Sequence, residues 1–164
     1  MRQTGIVKDK MRGNLYVAIQ FAFLALLVFV PKGALWPTSG LVGFAGFALE
    51  GAGLAVLAVS FINLGQSLTV HPMPLARGQL KTTGLYAVVR HPIYLGLLMA
   101  AAGFAAHGAS IGHLVGFVGL SVLLHLKAGF EERLLRAAYP EYESYGRRVG
   151  RLMPKFSQFS RDGR

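Results

Sequence analysis

Three long stretches of this sequence contain almost no charged residue. No Lys, Arg, Asp or Glu occurs from 13 to 30 or from 91 to 126, and only Glu50 interrupts the stretch from 33 to 76. A helix that crosses the hydrocarbon core of a membrane needs roughly 20 consecutive apolar residues. The stretches therefore predict an all-α integral membrane protein with four transmembrane helices, of which the third stretch supplies two.

The basic residues are distributed unevenly around these predicted spans. Of 17 Lys and Arg, four precede the first span, one is Lys32, three lie between the second and third spans, and nine lie from Lys127 onward. By the positive-inside rule, both termini and the long middle loop are predicted to be cytoplasmic, with Lys32 and the turn near His107 outside. Topology thus accounts for the net charge of +10, and we expect no nucleic-acid partner.

We expect a single membrane domain made of three parts. Residues 1–64 contain the first two spans, 65–156 contain the long loop, a hairpin and a polar tail, and 157–164 form a disordered basic end. The loop from 65 to 91 is unusually long for a compact protein, and loops of that length tend to carry function.

The apolar run from 92 to 126 is short for two spans and predicts a tight hairpin that turns at 107–110. Small residues recur at helical spacing on both arms of this hairpin. They are Gly96, Ala100 and Gly103 on the first arm, and Gly112, Gly116 and Gly119 on the second. Because small residues let helices approach closely in lipid, we expect the two stripes to face each other.

A polar segment follows the hairpin. From Phe130 to Tyr139, apolar and charged residues alternate at helical spacing, which predicts an amphipathic helix lying on the cytoplasmic face. Pro140 suits the first turn of a second short helix that carries Glu141 to Arg148. The predicted fold is therefore a four-span helical protein with a cytoplasmic amphipathic C-terminal helical tail.

The composition argues against chemistry that depends on a thiol or a bound metal. The chain contains no Cys, which excludes disulfides, thiolate nucleophiles and cysteine-ligated metals. His107, His113 and His125 lie at or beyond the ends of the predicted hairpin without matching carboxylates, so we expect no metal site.

Two motifs flank the hairpin, one on each side. The first contains Gly84, Tyr86, Arg90, His91, Pro92, Tyr94 and Gly96, and the second contains Glu131, Glu132, Tyr139, Pro140, Tyr142, Tyr145 and Pro154. This pair of motifs, in this order, resembles the isoprenylcysteine carboxyl methyltransferase family and its relatives among the phospholipid methyltransferases. The resemblance covers residues 65 to 156. Tyr139-Pro140 departs from it, since the family commonly has Phe-Gly at that point.

The resemblance implies a methyltransferase that binds S-adenosylmethionine on the cytoplasmic side, with an entrance from the lipid for a lipophilic small-molecule or lipid acceptor. It implies catalytic roles for Arg90, His91 and Glu132. The implied cofactor contacts are His71, Tyr86, Arg90, His91, Pro92, Tyr94, Gly96, Glu131, Glu132 and Tyr142.

These residue types suit the charges of that cofactor. Tyr side chains can shield a sulfonium by cation–π contact, carboxylates can bind the amino group or the ribose, and Arg90 or His91 can bind the carboxylate. Methyl transfer is an in-line displacement, so catalysis consists mostly of alignment and exclusion of water. A carboxylate acceptor needs only a positioning cation such as Arg90. An amine or thiol must lose a proton, which His91 or a tail glutamate can take.

Several of these residues also have a purely structural interpretation. Arg90 can be an anchor at the membrane interface, and Pro92 an ordinary first-turn residue of the third span. Glu131 and Glu132 can be solvated charges paired with Arg136. The joint spacing of the two motifs favours the functional interpretation.

Glu50 supports a different class of function. An ionisable residue inside a span is costly and is often functional. The alternative to an enzyme of the resembled family is therefore a small four-helix transporter of organic cations that uses Glu50. A relative of the membrane sterol reductases is a third interpretation, but such enzymes usually have more spans than 164 residues hold.

Overall fold

The computed structural model describes residues 2–65 and 80–155, with side chains from Val7 onward in the first range. Within these ranges the helices and the segments that join them are accompanied by one isolated parallel bridge, between Val89 and Gly150. The helices of the described ranges are α1 (Arg2–Phe29), α2 (Gly40–Leu64), α3 (Leu85–Val88), α4 (Pro92–Gly108), α5 (Ile111–Ala138) and α6 (Tyr142–Arg148). His71 and the predicted basic end lie outside the described residues.

Three of these helices are long and apolar enough to cross a membrane, over Val7–Phe29, Gly40–Leu64 and Ile111–Ala138. Their outer faces carry large apolar side chains, such as Phe44 on α2, which is 73% exposed. α4 is apolar as well, but it is 17 residues long. The all-α class is confirmed and three candidate spans support membrane insertion. The fourth span and the cytoplasmic side of both termini stay predictions.

The small residues of α4 pack against α2. A Cβ atom added at Gly96 would collide with the backbone of Gly53, and one added at Gly103 would collide with the backbone of Gly46. The two helices therefore run antiparallel with their backbones in contact. Such close approach is possible only where side chains are absent.

The glycine stripe of α5 packs against α1. Gly112, Gly116 and Gly119 lie against Val30, Leu27 and Phe23, respectively. The prediction that the stripes of the two hairpin arms face each other is therefore wrong. A stripe of small residues accepts close approach from any helix, and each arm finds its partner among the N-terminal spans.

α4 and α5 form the predicted tight hairpin. α4 ends at Gly108. The next residue, Ala109, adopts the left-handed conformation with φ 43° and ψ 38°. Ser110 then caps α5, because its hydroxyl accepts a hydrogen bond from the amide of His113 at 3.3 Å. The hairpin brings the start of α4 and the far part of α5 to the same end of the bundle.

The amphipathic segment after Leu126 is not a separate helix. α5 continues without a break through this position to Ala138, so the predicted amphipathic helix is present as the end of α5, and its place on the cytoplasmic face stays a prediction. The segment contains no Pro, and its apolar side remains packed inside the protein. The ring of Phe130, for example, lies 5.6 Å from the ring of Tyr16 on α1. α6 follows Pro140, as predicted for the second short helix.

The tail, defined as residues 139–155, returns to the start of α4. The amide of Arg90 donates to the carbonyl of Gly150 at 2.8 Å, and the amide of His91 donates to the carbonyl of Arg151 at 3.1 Å. These two bonds hold the tail directly against the first motif.

Candidate functional site

The two motifs meet where the tail, the end of α5 and the start of α4 converge. His91 is the N-cap residue of α4, and Pro92 is its first helical residue. Glu131 and Glu132 lie in the last third of α5. Because consecutive helix residues point about 100° apart, the two carboxylates bond to different side chains and share only the neighbourhood of His91.

Glu132 is the buried anchor of the site, with a side chain that is 1% exposed. Its Oε1 accepts hydrogen bonds from Arg90 Nε at 3.1 Å, Arg90 Nη2 at 2.8 Å and Arg151 Nε at 2.9 Å. Its Oε2 accepts from Arg151 Nη2 at 2.8 Å. Both oxygens are thus occupied by charge-assisted bonds, which are about twice as strong as neutral ones.

The guanidinium of Arg90 forms its hydrogen bonds with other groups of the protein. Besides Glu132, its Nη1 donates to the carbonyls of Gly146 and Val149, each at 2.7 Å. The side chain is 10% exposed, so it does not reach into the interface as a membrane anchor would. Arg90 therefore connects α4, α5 and α6, and this arrangement favours a positioning role over direct contact with a substrate.

Glu131 belongs to a second group of contacts, the acid–aromatic cluster of Tyr86, His91, Tyr94 and Glu131. The hydroxyl of Tyr94 donates to Oε1 of Glu131 at 2.5 Å. Nδ1 of His91 lies 3.5 Å from Oε2 of Glu131, and the rings of His91 and Tyr94 stack with centroids 5.3 Å apart. The carboxylate of Glu131 is 18% exposed and remains within reach of a ligand.

His91 connects the cluster to the buried anchor. Its Nε2 lies 3.4 Å from Oε1 of Glu132, within reach of the charge but without the alignment of a hydrogen bond. Burial alone lowers the pKa of His91, but the close contacts with the negatively charged carboxylates of Glu131 and Glu132 outweigh it and raise that pKa above 6.5. The imidazole is therefore biased toward the protonated form.

The tyrosines of the site remain neutral at ordinary pH. Burial, together with the charge of Glu131, raises the pKa of Tyr86 to about 12. The carbonyl of Tyr86 accepts from the hydroxyl of Tyr145 at 2.6 Å, which ties α3 to α6. Burial and then the charge of Glu132 raise the pKa of Tyr142.

Tyr142 has a polar atom that the rest of the described chain leaves unpaired. The residue is 1% exposed, and its hydroxyl has no hydrogen-bond partner among the described residues. A buried hydroxyl without a partner costs free energy unless a ligand or water pairs with it. Its neighbours include Tyr145, whose ring meets that of Tyr142 edge to face at 5.7 Å.

Pro92 and Gly96 serve the fold around the cluster. Pro92 is buried in the first turn of α4, where it has no amide hydrogen to leave unpaired. Gly96 lies against Gly53 and Leu57 of α2, so its small size has a packing reason. That Pro92 or Gly96 takes part in cofactor binding stays a prediction.

Two residues of the site escaped the sequence interpretation. Lys127 is 4% exposed, donates to Oε1 of Gln20 at 2.9 Å and places its Nζ 5.1 Å from the centroid of the Tyr94 ring. Its spacing of four residues before Glu131 is a signal that the two share a helix face. Arg151 is the second cation that contacts Glu132, and no feature of the neighbouring sequence predicts this contact.

Glu50 lies away from these residues. Its Oε2 is 3.8 Å from Nε2 of His107, near the opposite end of α4. His107 follows Pro92 by 15 positions, which correspond to roughly 22 Å of helix. Glu50 is therefore not part of the site.

The fold and the site together define a helical membrane protein whose polar centre is closed by a tail that folds back on the helix ends. Residues 41–142 match the family model described as phospholipid methyltransferase. The chain belongs to this family, and the resemblance drawn from the two motifs is confirmed.

Individual relatives match smaller parts of the chain. Methanethiol S-methyltransferase of Pseudomonas deceptionensis is 36% identical over 78 residues, which are 47% of this chain and 29% of that protein. The nickel-cobalt-cadmium resistance protein NccN of Alcaligenes xylosoxydans xylosoxydans is 34% identical over 83 residues, 49% of this chain and 38% of the relative. The cobalt-zinc-cadmium resistance protein CzcN of Cupriavidus metallidurans is 28% identical over 109 residues, 65% of this chain and 50% of the relative. The chain thus spans half or less of the length of these relatives.

Proposed function

We propose that this chain is a membrane methyltransferase that transfers a methyl group from S-adenosylmethionine to a small lipophilic acceptor at the cytoplasmic face. The observation that carries the proposal is the acid–aromatic cluster, in which Glu131 contacts both Tyr94 and His91. The family match from 41 to 142 includes all four residues of the cluster.

The residues present fit the proposed cofactor. When bound, S-adenosylmethionine supplies an activated methyl group on a positively charged sulfur. The partly exposed carboxylate of Glu131 suits its amino group or its ribose hydroxyls, and the rings of Tyr86 and Tyr94 suit the cation. The unpaired hydroxyl of Tyr142 is a further hydrogen-bonding group in the same region.

The chain's own residues align the reaction and exclude water. Arg90 and Arg151 hold the tail over the site through Glu132, which keeps the surroundings of Glu131 enclosed. His91 lies between both carboxylates and, in the fraction of molecules where its imidazole is neutral, can receive a proton that the acceptor loses. A proton at this position is stabilised by the two negative charges.

The contacts of Arg90 favour some acceptors over others. A carboxylate acceptor needs a free positioning cation, and Arg90 already donates four hydrogen bonds to protein groups. A thiol or an amine needs instead a group that takes a proton, which His91 provides. Because several relatives are named methanethiol S-methyltransferase, we propose a small thiol as the first acceptor to test.

The test uses purified protein in lipid nanodiscs. Cofactor binding is measured by calorimetry, and product formation by mass spectrometry with an alkyl thiol, amine and carboxylate of equal chain length. We expect the thiol to be methylated, and Glu131→Gln to weaken cofactor binding about tenfold or more. Glu141→Gln, which removes an exposed carboxylate of the tail, is the matched control. Absence of cofactor binding, or equal binding by the two variants, would contradict the proposal.

A further inference from the structure

A separate cavity of about 470 Å³ lies between the far part of α5 and the tail. The charged side chains that line it are Arg90, Arg136, Arg147, Arg151, Lys155 and Glu143. Five cations thus surround one carboxylate. An excess of positive charge around an open cavity attracts anions.

The carboxylates in and near this cavity do not balance its cations. Glu143 lies 3.7 Å from Arg136 and 3.6 Å from Arg147, in two exposed ion pairs. The buried carboxylate of Glu132 forms ion pairs with Arg90 and Arg151. Two carboxylates against five cations leave three positive charges unbalanced. A cofactor that is itself a cation is poorly suited to such a place.

We expect the cavity to lie near the lipid headgroups. His125, at the end of the uncharged stretch, lines the cavity, and Arg136, which also lines it, follows eleven residues later on α5. Eleven residues correspond to roughly 16 Å of helix, whereas a headgroup layer is about 5–8 Å thick. If α5 crosses the membrane, this length is enough for the lining of the cavity to extend across the headgroup layer.

An apolar strip leads from the cavity toward the membrane interior. Val118 and Val122 are each 56% exposed, and at about 100° per residue they share one face of α5 with His125 and Arg136. Gly129, on the same face, has nothing within 4 Å of the place where a Cβ would be. Further from the cavity, Val115 and Ile111 are 54% and 68% exposed and continue this apolar surface of α5.

We propose that this cavity binds the phosphate group of an anionic membrane phospholipid, whose acyl chain lies along Val118 and Val122. Arginine is suited to this role, because its planar fork donates two parallel hydrogen bonds to phosphate oxygens. Arg90 lines the cavity and is ion-paired with Glu132, whereas no residue of the acid–aromatic cluster lines the cavity. The lipid is thus a ligand that joins α5 to the tail, distinct from the methyl acceptor.

The test measures retained lipid and needs no methyl transfer, so its outcome is independent of the proposed enzyme activity. Protein is released from nanodiscs of phosphatidylglycerol and phosphatidylcholine, and bound lipid is counted by native mass spectrometry. The double variant Arg136→Gln/Arg147→Gln removes cations that are 52% and 70% exposed. Arg133→Gln/Arg12→Gln removes two charges outside the cavity and is the matched control.

We expect the double variant to retain about tenfold less phosphatidylglycerol than the control. Glu143→Gln should increase retention. Arg136→Lys/Arg147→Lys should restore part of the retention that the glutamine variant loses, because lysine returns the charge but not the planar fork, and this separates lost charge from misfolding. Equal retention by the cavity variant and the control would overturn the proposal. Stabilisation by inorganic phosphate in phosphatidylcholine nanodiscs, without selective retention of phosphatidylglycerol, would overturn the assignment to a lipid.

Discussion

The hydroxyl of Tyr94 donates a hydrogen bond of 2.5 Å to Oε1 of Glu131. Tyr94 lies in the first turn of α4 and Glu131 in the last third of α5, so this single contact joins the two motifs that the hairpin separates in sequence. It also fixes the orientation of the carboxylate that we propose as a cofactor ligand.

Tyr94→Phe tests the structural part of this contact. The variant keeps the ring that stacks on His91 and loses the hydrogen bond to a charged group, so we expect a loss of about 1.5–3 kcal/mol in stability. The thermal midpoint in detergent, compared with that of Tyr16→Phe, measures the effect. Cofactor affinity should fall less than in Glu131→Gln, because the carboxylate is still present. A larger loss of affinity in Tyr94→Phe would count against Glu131 as the ligand.

Glu132→Gln should release the tail. The buried carboxylate accepts bonds from Arg90 and Arg151, and loss of one partner of a buried ion pair typically costs about 3–5 kcal/mol. We expect faster tryptic cleavage in the tail and a lower thermal midpoint. Glu143→Gln, at a carboxylate that is 63% exposed, should cost about 1 kcal/mol or less. Equal protease resistance of the two variants would show that Glu132 does not hold the tail.

The pH dependence of stability should report His91. Its pKa is raised in the folded protein above the ordinary 6.5, so the stabilisation is complete below 6.5 and is lost as the pH rises through the folded value. We expect the thermal midpoint to decrease across that interval in the wild type and to change less in His91→Gln. His125→Gln, at an exposed histidine, serves as the control and should keep the wild-type slope.

Gly53→Leu should separate α2 from α4. A side chain at Gly53 would collide with the backbone of Gly96 and Ala100, and overpacking of a close contact costs about 1–3 kcal/mol. Gly51→Leu is the control on the same helix, since nothing lies within 4 Å of a Cβ at that position. We expect a lower thermal midpoint for the first variant alone. Similar midpoints would mean that the backbones do not touch as described.

The meeting of the two motifs follows from topology that the sequence predicts. A tight hairpin must bring the start of its first helix and the far part of its second to the same end. Which side chains contact each other within the site does not follow from this topology. Glu131 and Glu132 are neighbours that differ in direction by about 100°, and which of them faces Arg90 depends on how α5 is rotated against α1. That rotation is set by long-range packing.

Arg151 and the glycine stripes also have partners that the sequence does not predict. Arg151 reaches Glu132 only because Val89 pairs with Gly150, a register that joins distant parts of the chain. The glycine stripe of α4 predicts that a helix packs closely there, but not that the helix is α2. Periodicity identifies which face of a helix is buried, whereas the choice of partner depends on the whole bundle.

The contact between α2 and α4 has a mechanical consequence. Where backbone meets backbone, as at Gly53 and Gly96, there are no side chains whose rotamers can change to open a gap. We therefore expect the two helices to move together. Any opening between helices should then form at the other seams, between this pair and the pair of α1 and α5, or beneath the tail.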